Sequence, residues 1–193
     1  MAIEPTTAPA PASDAVQRAI ASRTKASSNL FAGKAPELFL SVPHRIAYLG
    51  LNAIKPDADL RVSTQMGGWR FLVHERDPSA ADTYALIGAA TTRLSPMDEF
   101  SGLDEGPLAA GTEEAIRSVE QTGDVMKGSF DIFYLIVPAL YVVALWLRDR
   151  IHTDDIIVPV APVSLAMTPN KPISPKTFLK VLYDLSRNAD AGQ

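Results

Sequence analysis

From Trp69 to His74 the side chains alternate, with Trp69, Phe71 and Val73 on one side and Arg70, Leu72 and His74 on the other. A period of two is that of an extended strand. Ahead of it, Gly67-Gly68 separates this run from Leu60–Thr64, which predicts a hairpin turning at the two glycines. A second alternating run covers Thr83–Thr91 and ends in small residues, so it predicts a strand with another element packed close above it. Glu37–Leu51 is rich in strand-forming residues but interrupted by Pro43. Proline has no N–H to give a ladder, so the interruption predicts an edge strand with a bulge. Ile132 to Leu147 is apolar throughout, with Pro138 in its middle and Arg148-Asp149-Arg150 at its end. The run falls short of the roughly 20 residues a bilayer helix needs, and its Val, Ile, Tyr and Phe favour strands. Buried strands at 130–137 and 139–147 are therefore expected, followed by one at 156–160 and no membrane span.

Helical spacing is found in three places. Ser13 or Asp14 caps a weak stripe of Val16, Ala19 and Ile20 that runs to about Ser27. Gly106-Pro107 opens a helix that reaches about Gln121. Its buried stripe is Leu108, Ala115, Ile116 and Val119, and Gly111-Thr112 suggests a stable start only at Thr112. After Ser174-Pro175, the positions Phe178, Leu179, Val181, Leu182 and Leu185 define the clearest helix of the chain. Ser95–Glu105 is expected as a polar loop, and the prolines from Pro159 to Pro175 as a non-helical crossing. Strands in consecutive groups, split by one helix and closed by another, give an α+β fold with a mainly antiparallel sheet packed by a central and a C-terminal helix. Prolines at 5, 9 and 11 among small residues predict a flexible tail over residues 1–12, ahead of a single domain at 13–193.

Composition narrows the function classes. The 193 residues contain no cysteine, which removes disulfides, thiol nucleophiles and Cys-ligated metals and suits a reducing cytoplasm. The net charge of −4 is uneven along the chain, because Asp98, Glu99, Asp104, Glu105, Glu113, Glu114, Glu120 and Asp124 face only Arg117 between positions 98 and 124. A nucleic-acid surface needs clustered cations, so none is expected. The acidic stretch reads as a solvated face, with docking of a basic protein as the sharper alternative. An exposed edge at 38–49 would also allow a homodimer.

No phosphate loop, dinucleotide fingerprint, zinc-protease helix or nucleophile elbow is present, and no cofactor is expected. His44-Arg45 at the suspected bulge and His74-Glu75 at a strand end are the candidate ligand-binding residues, together with Trp69. Two imidazoles converging from neighbouring strands would bind an anion or move a proton. His152 and Asp154 are weak metal candidates, since two ligands do not make a zinc site. Trp69, Trp146, Tyr134 and Tyr141 are expected in the core, or else lining a pocket. The sequence thus describes a cytoplasmic, non-catalytic binding or accessory protein. The alternative is a small-molecule-binding protein or enzyme built on His44, His74, Glu75 and Arg45 around an aromatic pocket.

Overall fold

The structure, a computed structural model, describes residues 7–28, 37–76, 84–94, 99–122, 129–163 and 166–191. Among the described residues four α-helices and seven strands follow in the order α1 (Ala10–Ser28), β1 (Leu38–Leu49), α2 (Leu60–Ser63), β2 (Thr64–Arg76), β3 (Tyr84–Thr92), β4 (Phe100–Asp104), α3 (Pro107–Glu120), β5 (Phe130–Val137), β6 (Val142–Asp149), β7 (Ile156–Pro159) and α4 (Pro175–Ala191). The strands form one sheet in the order β4-β3-β2-β1-β5-β6-β7. All neighbours are antiparallel except β1 and β5, which run parallel from Arg45–Tyr48 against Phe133–Ile136. The fold is α+β. Two antiparallel meanders, β1–β4 and β5–β7, are joined side by side along that one parallel seam.

Helices cover both faces. On one face Ala12, Val16 and Ile20 of α1 pack against Trp69, Phe71, Val73 and Ala90, while Phe178, Leu179 and Leu182 of α4 pack on Leu135, Ala144, Trp146 and Ile157. On the other face α3 sets Ala115 and Val119 on Tyr134, Leu145 and Val158, and Ala109 on Leu72 and Ala89. β2 is consequently buried without interruption from Gly67 to His74, on both its alternating sides. Each fully buried Leu, Ile or Phe contributes on the order of 2 kcal/mol to this packing.

Several expectations are corrected. β1 is the middle strand of the seven, not an edge. Pro43 is accommodated because the β1–β2 register slips between Leu40 and Pro43, and the ladder to β5 begins only at Arg45, so the missing N–H falls where no partner waits. β1 is paired with β2 along most of its length and with β5 only at Arg45–Tyr48. Gly67 and Gly68 lie inside β2 instead of turning a hairpin, and Leu60–Ser63 is a helical turn capped by Asp59, which accepts from Arg61 N at 2.8 Å. A Cβ on Gly68 would lie 2.0 Å from the Thr92 carbonyl oxygen, so glycine is required by the close approach of β3.

Within the expected loop, residues 95–98 lie outside the described residues, whereas Phe100–Asp104 pairs with β3 as β4, its Phe100 and Leu103 tucked against the α1 cluster. α3 begins at Pro107 with no break at Gly111, where a Cβ would sit 2.2 Å from the Ala161 carbonyl oxygen. Pro138–Leu140 forms a 3-10 turn, so β6 starts at Val142, and Tyr141 is a 93% exposed turn residue with φ 52° instead of a core aromatic. α1 starts at Ala10, within the stretch expected as a tail, and residues 1–6 lie outside the described residues. Among the described residues no helix is long and apolar enough to cross a membrane.

Candidate functional site

Alternation along β1 and β2 decides where the candidate residues point. His44 pairs with Arg70 across the β1–β2 ladder and Arg45 with Trp69, so the first pair faces α3 and the second faces α1. His74 shares the α3 face, and Glu75 follows on the opposite side of the strand. The five candidates therefore do not converge. Arg45 lies over the Trp69 indole at 5.1 Å, a cation–π contact on the α1 face. His44 and His74 are four strand residues apart, about 13 Å. Nε2 of His74 is 3.3 Å from Oε1 of Glu113 on α3, and its ring meets Phe39 at 6.3 Å.

Next to His44 the α3 face buries a charge. The Arg70 guanidinium, 2% exposed, lies 4.1 Å from the Tyr134 ring centroid and donates from Nη1 to Thr112 Oγ1 at 2.8 Å. The Thr112 hydroxyl in turn donates to the Leu108 carbonyl at 2.5 Å. The nearest carboxylate, Asp104 Oδ2, stands 3.5 Å from Arg70 Nη2 and is 40% exposed, its other oxygen accepting from Gly106 N at 2.9 Å. Burial weakens the hold of Arg70 on its proton and pushes the Tyr134 phenol up. His44 is fully buried with neither ring nitrogen hydrogen-bonded. Burial, then the neighbouring Arg70 charge, lower its pKa to about 4, so the ring is neutral at pH 7.

Beyond this cluster, on the same face, a groove of about 340 Å³ opens over the carboxyl-terminal halves of β1 and β5. Ile46, Tyr48, Tyr134 and Ile136 line one side, and Thr92 and Arg93 belong to the other. Tyr48 remains 38% exposed. The position follows from topology. The chain leaves β1 toward β2 and leaves β5 toward β6, on opposite sides, and adjacent parallel strands whose connections diverge leave a crevice at their carboxyl ends.

A second arginine–aspartate pair, with Asp155 buried and Arg61 partly exposed, organises the 150–155 turn. The two oxygens of Asp155 take Arg61 Nε at 3.1 Å, Arg61 Nη2, Trp146 Nε1 at 2.8 Å and Asp149 N at 3.0 Å. Arg61 also donates to the Asp149 and His152 carbonyls, and the Asp155 bond raises its pKa. Asp149 Oδ1 accepts from Ile151 N and His152 N, which lowers its pKa. His152 and Asp154 are both exposed, the His152 ring stands 3.6 Å from Asp149, and the segment bends here where an extended chain was expected. Among the described residues no three His, Asp or Glu side chains gather as a metal site.

Tyr48, Arg70, Arg93, Asp104 and Thr112 were not singled out as site residues by the sequence. The available signal was Arg70 itself, a lone charge among Trp69, Phe71, Leu72 and Val73. The site belongs to an α+β domain with helices on both sheet faces. Compared with protein-family models, with curated proteins and with solved structures, the chain matches none.

Proposed function

We propose that this protein is a non-catalytic binding protein that holds a small molecule in the groove over β1 and β5. The observation supporting this reading is the groove's position, an aromatic-walled crevice of about 340 Å³ at the divergent ends of the parallel pair. A non-catalytic role fits the histidines, since His44 is sealed and neutral and His74 is engaged by Glu113 far from the groove. A cysteine-free chain suits a cytoplasmic setting, which is part of the proposal. Thermal unfolding against a panel of metabolites tests it. A ligand at a hundred times its Kd adds about 2.7 kcal/mol, and the exposed-site variant Ser101→Trp, which fills the groove from its rim, abolishes the gain. A gain that persists in Ser101→Trp places the ligand elsewhere.

Docking of a protein partner or a second copy is a second reading, favoured by Phe39 and Tyr84. Their rings are 5.6 Å apart and about half exposed, beside His74 at one end of the sheet. Sedimentation equilibrium of wild type and Phe39→Ser tests the homodimer form, which a monomer at high concentration removes.

A further inference from the structure

We infer that the ligand of this groove is a small planar anion, an aromatic carboxylate in class, with its ring on Tyr48 and its charge turned toward Arg93. The inference rests on the binding role proposed above and adds the chemistry of the ligand. Arg93 is the one charged side chain among the described residues that line the groove. The wider groove beside α2 and the start of α4 differs, because it mixes Asp57, Asp59 and Asp155 with Arg61 and Lys176.

A second positive charge stands behind the wall. Arg70 lies against the ring of Tyr134, and Tyr134 lines the groove. The carboxylate facing Arg70 is not a lining residue and is 40% exposed, so water screens Asp104 more strongly than protein screens Arg70. The balance leaves a positive potential on the groove side. Arg70 acts through this field and through Tyr134, without touching the ligand, and is a positioning residue. The shape completes the fit. Ile46, Ile136 and the partly exposed Tyr48 present apolar and aromatic surface to a flat ring, and about 340 Å³ is near the lower end for ligand sites, the size of a one- or two-ring molecule.

The test titrates the full chain at pH 7 and low salt with 1-naphthoate, neutral 1-naphthylmethanol and cationic 1-naphthylmethylammonium, using isothermal calorimetry. The expected result is naphthoate binding about fivefold tighter than the neutral alcohol, with the advantage shrinking as salt is added. Arg93→Gln brings naphthoate down to the alcohol's affinity in the same variant. Asp104→Asn, which keeps an acceptor oxygen for Gly106 N, strengthens naphthoate binding alone. Equal affinity for all three probes, lost in Ser101→Trp, overturns the anion preference and leaves the binding groove standing. Preference for the ammonium, or a preference for naphthoate that neither Arg93→Gln nor Asp104→Asn changes, overturns it as well. Binding of none, or binding that Ser101→Trp does not affect, overturns the groove reading and this inference together.

Discussion

Arg61 and Arg70 each stand opposite an aspartate, yet their surroundings differ. Asp155 is buried and spends its oxygens on Arg61, the Trp146 indole and a backbone N–H, while Arg61 adds two carbonyl acceptors. Arg70 is the more deeply buried cation, but it has a threonine hydroxyl, an aromatic face and a carboxylate 3.5 Å away that is partly in water. The first pair ties a turn, a helical cap and a core tryptophan into one rigid unit. The second leaves a charge under-neutralised beside a groove. Saturated polar clusters stabilise local geometry, and unsaturated ones keep an unspent interaction for something else.

The comparison is broken most directly by removing each aspartate in turn. Asp155→Ala strands Arg61, Trp146 Nε1 and Asp149 N, and is expected to cost about 3 kcal/mol or more in urea unfolding. A cost under about 1 kcal/mol would show the two pairs to be alike.

Nearly as large is the pH effect expected at His44. Its pKa falls from 6.5 in the unfolded chain to about 4 in the fold, so between these values the unfolded state binds the extra proton. Stability from the neutral ring is therefore complete above about pH 6.5 and lost as pH falls toward 4, by up to about 3 kcal/mol. His44→Leu removes both unpartnered nitrogens and should flatten this portion of the stability profile. A slope unchanged in the variant assigns the proton to another group.

Exchanging the arginines sharpens the contrast further. Arg61→Met leaves Asp155 buried and unpaired and destabilises by about 3 kcal/mol. Arg70→Met is expected to be close to neutral, because Asp104 is already partly solvated. The smallest effect belongs to Asp104→Asn, which should change stability by less than about 1 kcal/mol while leaving the Gly106 cap intact. Chemical denaturation of these variants measures both contrasts.

Helices were legible where one face alone met the core. The α4 stripe of Phe178, Leu179 and Leu182 is fully buried, and Ser174 caps its first turn by accepting from Thr177 N at 3.2 Å. Two buried strands within 132–147 were also legible, although β6 starts later than expected. Strand order was not legible, because Pro43 reads as an edge signal unless the register slip and the late start of the β5 ladder are known. Nor could alternation in β2 say which face was wet. It placed Arg70 and His74 together correctly, but a helix on each side buries both alternating sets. For the same reason the candidate site was half visible. His44 was marked by its place beside Pro43 and Tyr134 by its ring within an apolar run, whereas their companion Thr112 arrives from a distant element and carries no local signature. His44 and Arg45 were adjacent in sequence and consequently on opposite faces in the fold.

The single parallel seam between β1 and β5 has a kinetic consequence. Its ladder joins Arg45–Tyr48 to Phe133–Ile136, closing a span of roughly ninety residues, a slow and entropically costly step compared with the tight connections within each meander. Each meander can zip up locally, but β1 and β5 keep apolar edges open until they find one another. Refolding is therefore expected to be limited by this encounter, and the interval before it is when the chain is most prone to aggregate, through the strands that afterwards form the centre of the sheet.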